Sequence, residues 1–301
     1  MRVSESVPGR GLISKDFIAA CHIAVSEQTR EAAERFYTYR DRPRSQFTDW
    51  VKEQPSTQRS YLKAIELTGR SLGMVMFSNG IDHALLLADA FDEPKNNIRI
   101  WSYISLARGC LEAMMRTAYV SDRSVDGNQA VLRSAATAID GLQQQLTMAR
   151  AFTDVEVKIA EKALEADLRR ARRAGIELGY DTKGARVRRL TRDGETVTVA
   201  LDITGESARR IPEIPAPYRF GSAAAHSGGW FLAHAILGED GYAPAADPDI
   251  ILTAVSLTTW PLLAVVASVA DADDAEDLLR LRKSAEGRWS YAHSIRRRDH
   301  G

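Results

Sequence analysis

Three side chains in the C-terminal third have types and spacing suited to phosphodiester chemistry. Arg219 and His226 stand seven residues apart. On an α-helix that is nearly two turns, which puts both on one face about 10 Å apart along the axis. Ser222 lies one turn after Arg219 on almost the same face. In such a row the guanidinium stabilises charge on phosphoryl oxygens, and the imidazole moves the 2′-hydroxyl or leaving-group proton near neutral pH. Tyr218 directly precedes the row. Polar candidates elsewhere are His83, after Asp82, and the pair Arg108 and Glu112. That pair belongs to a stripe with Trp101, Ser105 and Arg116, which reads either as a solvated face or as one side of a cleft.

The segment Arg219-Phe-Gly-Ser-Ala-Ala-Ala-His226 resembles the motif of the HEPN superfamily of α-helical proteins, an Arg followed four to six residues later by a His. The wider pattern is similar to bacterial helical proteins related to that group. In these an Asp-His pair such as Asp82-His83 precedes an Arg-x-x-x-Glu helix such as Arg108 to Glu112, and a Tyr-Arg with a downstream His follows. The resemblance implies a metal-independent endoribonuclease of the kind found in toxin or phage-defence systems, with sites from two protomers meeting at a dimer interface. Arg219 would be the phosphate ligand and His226 the acid/base, with Ser222, Tyr218, Glu112, Arg108 and His83 in support. Phe220 departs from the pattern, since active members often carry a polar residue there, and the chain is longer than a minimal HEPN domain.

The same residues have a plainer reading. With 32 Arg and six His, about two such Arg-to-His spacings arise by chance in this chain. Arg288-Trp-Ser-Tyr-Ala-His293 is the second. The small residues Gly221 to Ala225 favour the first, because they let a ligand or backbone approach. His226 also suits a helix histidine with its polar atoms satisfied, and Arg219 can pair with Glu112 or Glu213. No His-Glu-x-x-His, cysteine cluster, P-loop or glycine-rich dinucleotide fingerprint occurs, so neither metal nor cofactor is expected.

These candidates must be positioned by helices. The chain has 301 residues, 45% hydrophobic and 27% charged, enough to bury a substantial core. Forty basic residues balance forty acidic ones, so no global field draws it to nucleic acid or an anionic membrane, and any such binding must be local. The bias of Arg over Lys fits either a GC-rich genome or a need for planar phosphate-binding forks. Cys21 and Cys110 form no disulfide framework, and Met1 to Arg10 lacks the apolar stretch of a secretory signal. A cytoplasmic protein is expected.

Periodicity predicts helices over Asp16–Tyr39, then Thr57–Phe91, with Gly69, Gly73 and Gly80 as points where the second bends or divides. A turn over Asp92–Asn97 and a helix over Ile98–Val120 follow. Asn128–Ala151 and Thr153–Gly175 read as a helical hairpin with a heptad seam, its second arm opened by a Thr153–Glu156 capping box. The hairpin needs a partner, either this chain's core or a second copy. The four arginines Arg169, Arg170, Arg172 and Arg173 close the second arm, where they complement the helix dipole or form a phosphate patch.

Alternation over Gly184–Ile203 around Asp193-Gly194 predicts a β-hairpin, and Pro212, Pro215 and Pro217 an extended connector. Helices over Tyr218–Leu237 and Ala275–Arg298 follow. Between them, Ile250–Ala270 is uncharged for 21 residues. Its acidic flanks and Pro261 predict a buried core helix, kinked or restarted at the proline, rather than a membrane span.

The expected fold is a single all-α helical bundle with a HEPN-like core, carrying the helical hairpin (about 128–175) and a small β-hairpin (about 184–203) as insertions, with flexible ends at about 1–12 and 294–301. Two functions remain: a scaffold or interaction protein acting as a dimer through the hairpin or its basic ends, and the endoribonuclease with RNA as partner.

Overall fold

The computed structural model describes residues 13–92, 100–214, 218 and 248–300. The expected turn over Asp92–Asn97 lies almost wholly outside these residues, as do residues 1–12 and the predicted helix after Tyr218. What is described is an all-α bundle with one small antiparallel sheet.

Helix α1 (Lys15–Arg40) begins where the Ser14 hydroxyl accepts the Phe17 amide and ends at Asp41, just before Pro43. Its buried face of Phe17, Cys21, Val25, Ala32 and Phe36 follows the three-and-four spacing. Helix α2 (Ser45–Glu53) was not expected. Phe47, Trp50 and Val51 form the i, i+3, i+4 triplet that marks it, but nine residues give little periodicity to read.

Helix α3 (Ser56–Asp92) runs unbroken for 37 residues. The expectation that it bends or divides at its glycines is therefore corrected: they are places of close approach. A Cβ on Gly69 would stand 2.2 Å from Ser134 Oγ, and one on Gly73 would stand 2.9 Å from Ser121 Oγ. One on Gly80 would meet the Met114 side chain at 2.5 Å. Helices α4 (Ile100–Ser121) and α5 (Gly127–Ala149) pack on this face.

Two cores share α3. Phe77, Leu87 and Phe91 belong to the larger, with α1, α4, α8 (Pro248–Val269) and α9 (Ala275–His300). Leu62 and Ile65 belong to the smaller, with α2, α5, the end of α6 (Asp154–Arg173) and the sheet. Helix α8 is the apolar segment expected in the core. It has the length and composition of a membrane span, but Ile251, Val255, Leu262 and Val266 are fully buried here. It continues through Pro261 without restarting. Helix α9 extends to His300, through the end expected to be flexible.

The α5–α6 hairpin forms as expected, with the reciprocal Thr153–Glu156 capping box. The sheet has three strands rather than two: β1 (Glu177–Tyr180), β2 (Val187–Arg192) and β3 (Glu195–Thr198), in that order. β1 is four residues long and carries no clear alternation. Asp193 at φ 50° and Gly194 at φ 81° turn β2 into β3, the positive-φ pair that a two-residue hairpin needs. Val187, Leu190 and Val197 face α5 and are buried. Beyond β3 the alternation ends early, because Ile203 opens the short helix α7 (Ile203–Arg210).

The glycines give opposite predictions. Gly69→Ala should cost about 1–2 kcal/mol net, overpacking against Ser134 outweighing the gain in helix propensity. Gly141, in the same bundle, has nothing within 4 Å of its missing Cβ, so Gly141→Ala should stabilise by about 0.5–1 kcal/mol. Urea midpoints at unchanged slope measure both.

Candidate functional site

Arg219, Ser222 and His226 lie outside the described residues; of that segment only Tyr218 is described. Its hydroxyl accepts from Arg108 Nη2 at 3.3 Å, and the guanidinium lies 5.4 Å from its ring centroid. One turn along α4, Glu112 Oε1 accepts from Arg108 Nε at 3.0 Å. The structure thus brings together three of the predicted supporting residues. Arg108 and Glu112 are both half-buried, so their stripe is neither a fully solvated face nor a sealed one. Burial pushes the Arg108 pKa down, but Tyr218 and Glu112 outweigh it and raise the value above the usual guanidinium range. The side chain is a fixed cation.

His83 reaches the same helix from α3. Its imidazole fills the space left by Gly109, where a Cβ would stand 2.7 Å from Nε2. Nδ1 is buried and has no hydrogen-bond partner among the described residues. Of the two acids suggested as partners for Arg219, which itself lies outside the described residues, Glu112 pairs with Arg108 and Glu213 with Arg282 at 2.8 Å.

The second Arg-to-His spacing is structural. Arg288 donates to Glu31 at 3.0 Å and to Gln28 at 2.6 Å, tying α9 to α1, while His293 stacks on Trp289. At the end of α6, Arg169 faces Glu165 at 3.9 Å and Arg170 pairs with Asp167. Arg172 and Arg173 instead reach tyrosine hydroxyls. The thiols of Cys21 and Cys110 are wholly buried; burial pushes Cys21 up to about 12 and raises Cys110 as well, so neither is a nucleophile near neutral pH. Among the described residues no group of three or more His, Cys, Asp or Glu is placed to hold a metal ion.

Sequence reasoning missed a polar junction where the ends of several helices meet. Asp122, 4% exposed, receives Arg133 at 3.2 Å, Arg210 at 2.6 Å and the Ser124 hydroxyl at 2.6 Å. Arg44 pairs with Glu66 at 3.1 Å and donates to the Asp122 carbonyl. Arg123 joins Asp271 at 2.7 Å, and Arg42 joins Asp274 at the same distance. Two open cavities of about 230 and 420 Å³ flank the junction and share Gln46, Arg123 and Asp271. The signal in the sequence was that short charged runs sit at helix ends: Asp41 to Arg44, Asp122-Arg123, Arg209-Arg210 and Asp271 to Asp274. Which run meets which was not legible.

Compared with family models, with curated proteins and with solved structures, the chain matches none.

The junction predicts the response to acid. Burial, the largest influence on Asp122, pushes its pKa up, but the Ser124 hydrogen bond and Arg210 outweigh it and hold the carboxyl below the usual range. Glu206 is lowered in the same way by Arg209 and Arg210 against burial. A carboxylate depressed in the fold contributes stability that is complete above its unfolded pKa, about 4, and lost as pH falls through the lower folded value. Unfolding free energy should be flat from pH 7 to about 5 and fall below about 4. Asp122→Asn should cost about 2–3 kcal/mol at pH 7, by leaving the half-buried Arg133 and Arg210 with one charged partner fewer, and its acid decline should be shallower. Denaturant titrations across this pH range measure both.

Proposed function

We propose that the protein is a helical interaction protein that self-associates through the free end of its α5–α6 hairpin. One observation carries this reading. Met148, Phe152, Val155 and Ile159 are 66%, 68%, 66% and 60% exposed at that end, although the opposite face of α6 buries Ala160 and Ala171 in the ordinary way. Four large apolar side chains gathered in water favour a contact that covers them. The rim indicates the occupant. Arg150, Lys158 and Lys162 alternate there with Asp154, Glu156 and Glu161, all exposed. A two-fold contact sets a patch against itself, so a rim of a single sign would repel its copy and a balanced one does not.

Sedimentation equilibrium at about 10–100 μM should give twice the 33.2 kDa of one chain. Phe152→Glu/Ile159→Glu should give a single chain with an unchanged melting temperature. A wild type that stays monomeric throughout rejects the reading.

A second reading, a metal-independent HEPN-like endoribonuclease, is favoured by the position of Tyr218. The chain enters the segment of Arg219, Ser222 and His226 from a tyrosine held by Arg108 beside Glu112. His83, one α4 residue further along, has an Nδ1 without a partner among the described residues. Under this reading Arg219 binds the scissile phosphate and His226 transfers the proton. The purified chain should cut RNA in the presence of a chelator, and His226→Ala should abolish cutting by at least about 100-fold without lowering the melting temperature. Equal survival of RNA with wild type and variant rejects it.

A further inference from the structure

Arginine occurs throughout the chain, but its pairing is uneven. Most described arginines have a carboxylate within 4.0 Å, including those that cross between helices, such as Arg35, Arg42, Arg123 and Arg288. Arg172, Arg173, Arg186, Arg188 and Arg189 have none among the described residues, and all five are exposed. They are spread along the end of α6 and strands β1 and β2, from Arg173 at Tyr61 to Arg186 at Thr147.

The fold holds Arg172, Arg173 and Arg186 in place through neutral hydroxyl groups, while the Asp181 charge acts on Arg188 without a salt bridge. Arg172 Nη2 donates to the Tyr180 hydroxyl at 2.7 Å, at the end of β1. Arg173 Nη1 donates to the Tyr61 hydroxyl at 3.0 Å, at the start of α3, with its guanidinium 5.6 Å from that ring centroid. Arg186 donates to the Thr147 hydroxyl on α5. Arg189 stands in the middle strand opposite Gly179 on one side and Thr198 on the other, so neither flanking strand sets an acid beside it. Lys183, in the β1–β2 loop, is also exposed. The acids nearby are Glu165, which faces Arg169; Asp181, whose carboxylate accepts the amides of Ala185 and Arg186; and Glu177, opposite Thr191.

We propose that this strip binds single-stranded nucleic acid, the guanidinium groups taking consecutive backbone phosphates. Neutral hydroxyl partners fix Arg172 and Arg173 while leaving their charge for a ligand, and the planar fork suits phosphate oxygens. Tyr180, 43% exposed, offers a ring on which an unpaired base can stack, a contact that a duplex does not provide. The chain's zero net charge leaves such binding to a local cluster of this kind. Arg172 and Arg173 lie about 20 Å along α6 from Ile159, while Arg186, on Thr147, borders Met148 of the hairpin end; the variants below leave Arg186 in place, and the inference does not depend on Arg219 or His226.

Fluorescence anisotropy of a labelled 20-nucleotide oligouridylate with the full chain tests it. Saturable binding is expected at low salt, with a log–log salt slope of about −3.5 for five contacts. Arg172→Ala/Arg173→Ala/Arg188→Ala/Arg189→Ala should weaken binding about tenfold or more and flatten the slope by about 2.8. Arg188→Ala/Arg189→Ala, which spares the tyrosine contacts, should flatten it by about 1.4. Arg280→Ala/Arg297→Ala, on α9, should change neither. The proposal is overturned by an absence of saturable binding, by an α9 variant that loses as much as the strip variants, by tighter binding of a duplex of equal length, or by a strip that takes polyglutamate and not the oligonucleotide.

Discussion

Helix α3 serves two hydrophobic cores because, at three points on the face it turns to α4 and α5, it has no side chain. At Gly69 the backbone of α3 comes so near Ser134 that a single methyl has no room, and Gly73 and Gly80 meet Ser121 and Met114 in the same way. The cost is backbone entropy in a helix interior, about 1 kcal/mol for each glycine. The return is close packing along a helix of 37 residues. Phe77 and Phe91 pack at one end and Leu62 and Ile65 at the other, so both cores are referred to one rigid rod.

The second constraint is polar and sits at the helix ends. Asp122, between α4 and α5, gathers arginines from α5 and α7, while Arg123 beside it reaches the acidic turn before α9. The buried acids there, Glu66, Asp122 and Asp274, are costly alone and tolerable only in company, because burying a charge without a partner costs more than the pair returns. Packing along α3 sets how near the helices lie. The ion pairs select which of their ends meet.

Against this frame the three surfaces with functional interest differ in kind. The hairpin end is apolar with a balanced rim, the α6–β2 strip is cationic, and the Arg108–Glu112–Tyr218 group is half-buried and internally matched. Only the first two leave chemistry unused by folding: apolar area in one, guanidinium charge in the other. Arg172 and Arg173 lie about 20 Å along α6 from Ile159, while Arg186 borders the hairpin end through Thr147. Arg192 illustrates the contrast. It is 4% exposed and uses every nitrogen, on Ala174, Asn128, Asp193, Gln54 and Gln58, so its charge supports the smaller core and offers nothing to a ligand.

By itself the sequence determined what is local. Apolar spacing marked α1, α4, the hairpin arms and the buried α8; the Thr153–Glu156 box and the Asp193-Gly194 turn were legible because each is a backbone geometry that a few adjacent residues impose. Elements too short to show a period escaped it: α2, β1 and α7. Tertiary structure decided everything that depends on a distant partner. A helix glycine is a weak point or a contact according to what stands opposite, so Gly69 could be understood only beside Ser134. Arginine is alike in sequence wherever it occurs, and only the positions of the carboxylates separated Arg123 and Arg288, consumed by the fold, from Arg172 and Arg189, left to water. Charge pairing acts across space between residues far apart in the chain, and no spacing along the chain encodes it.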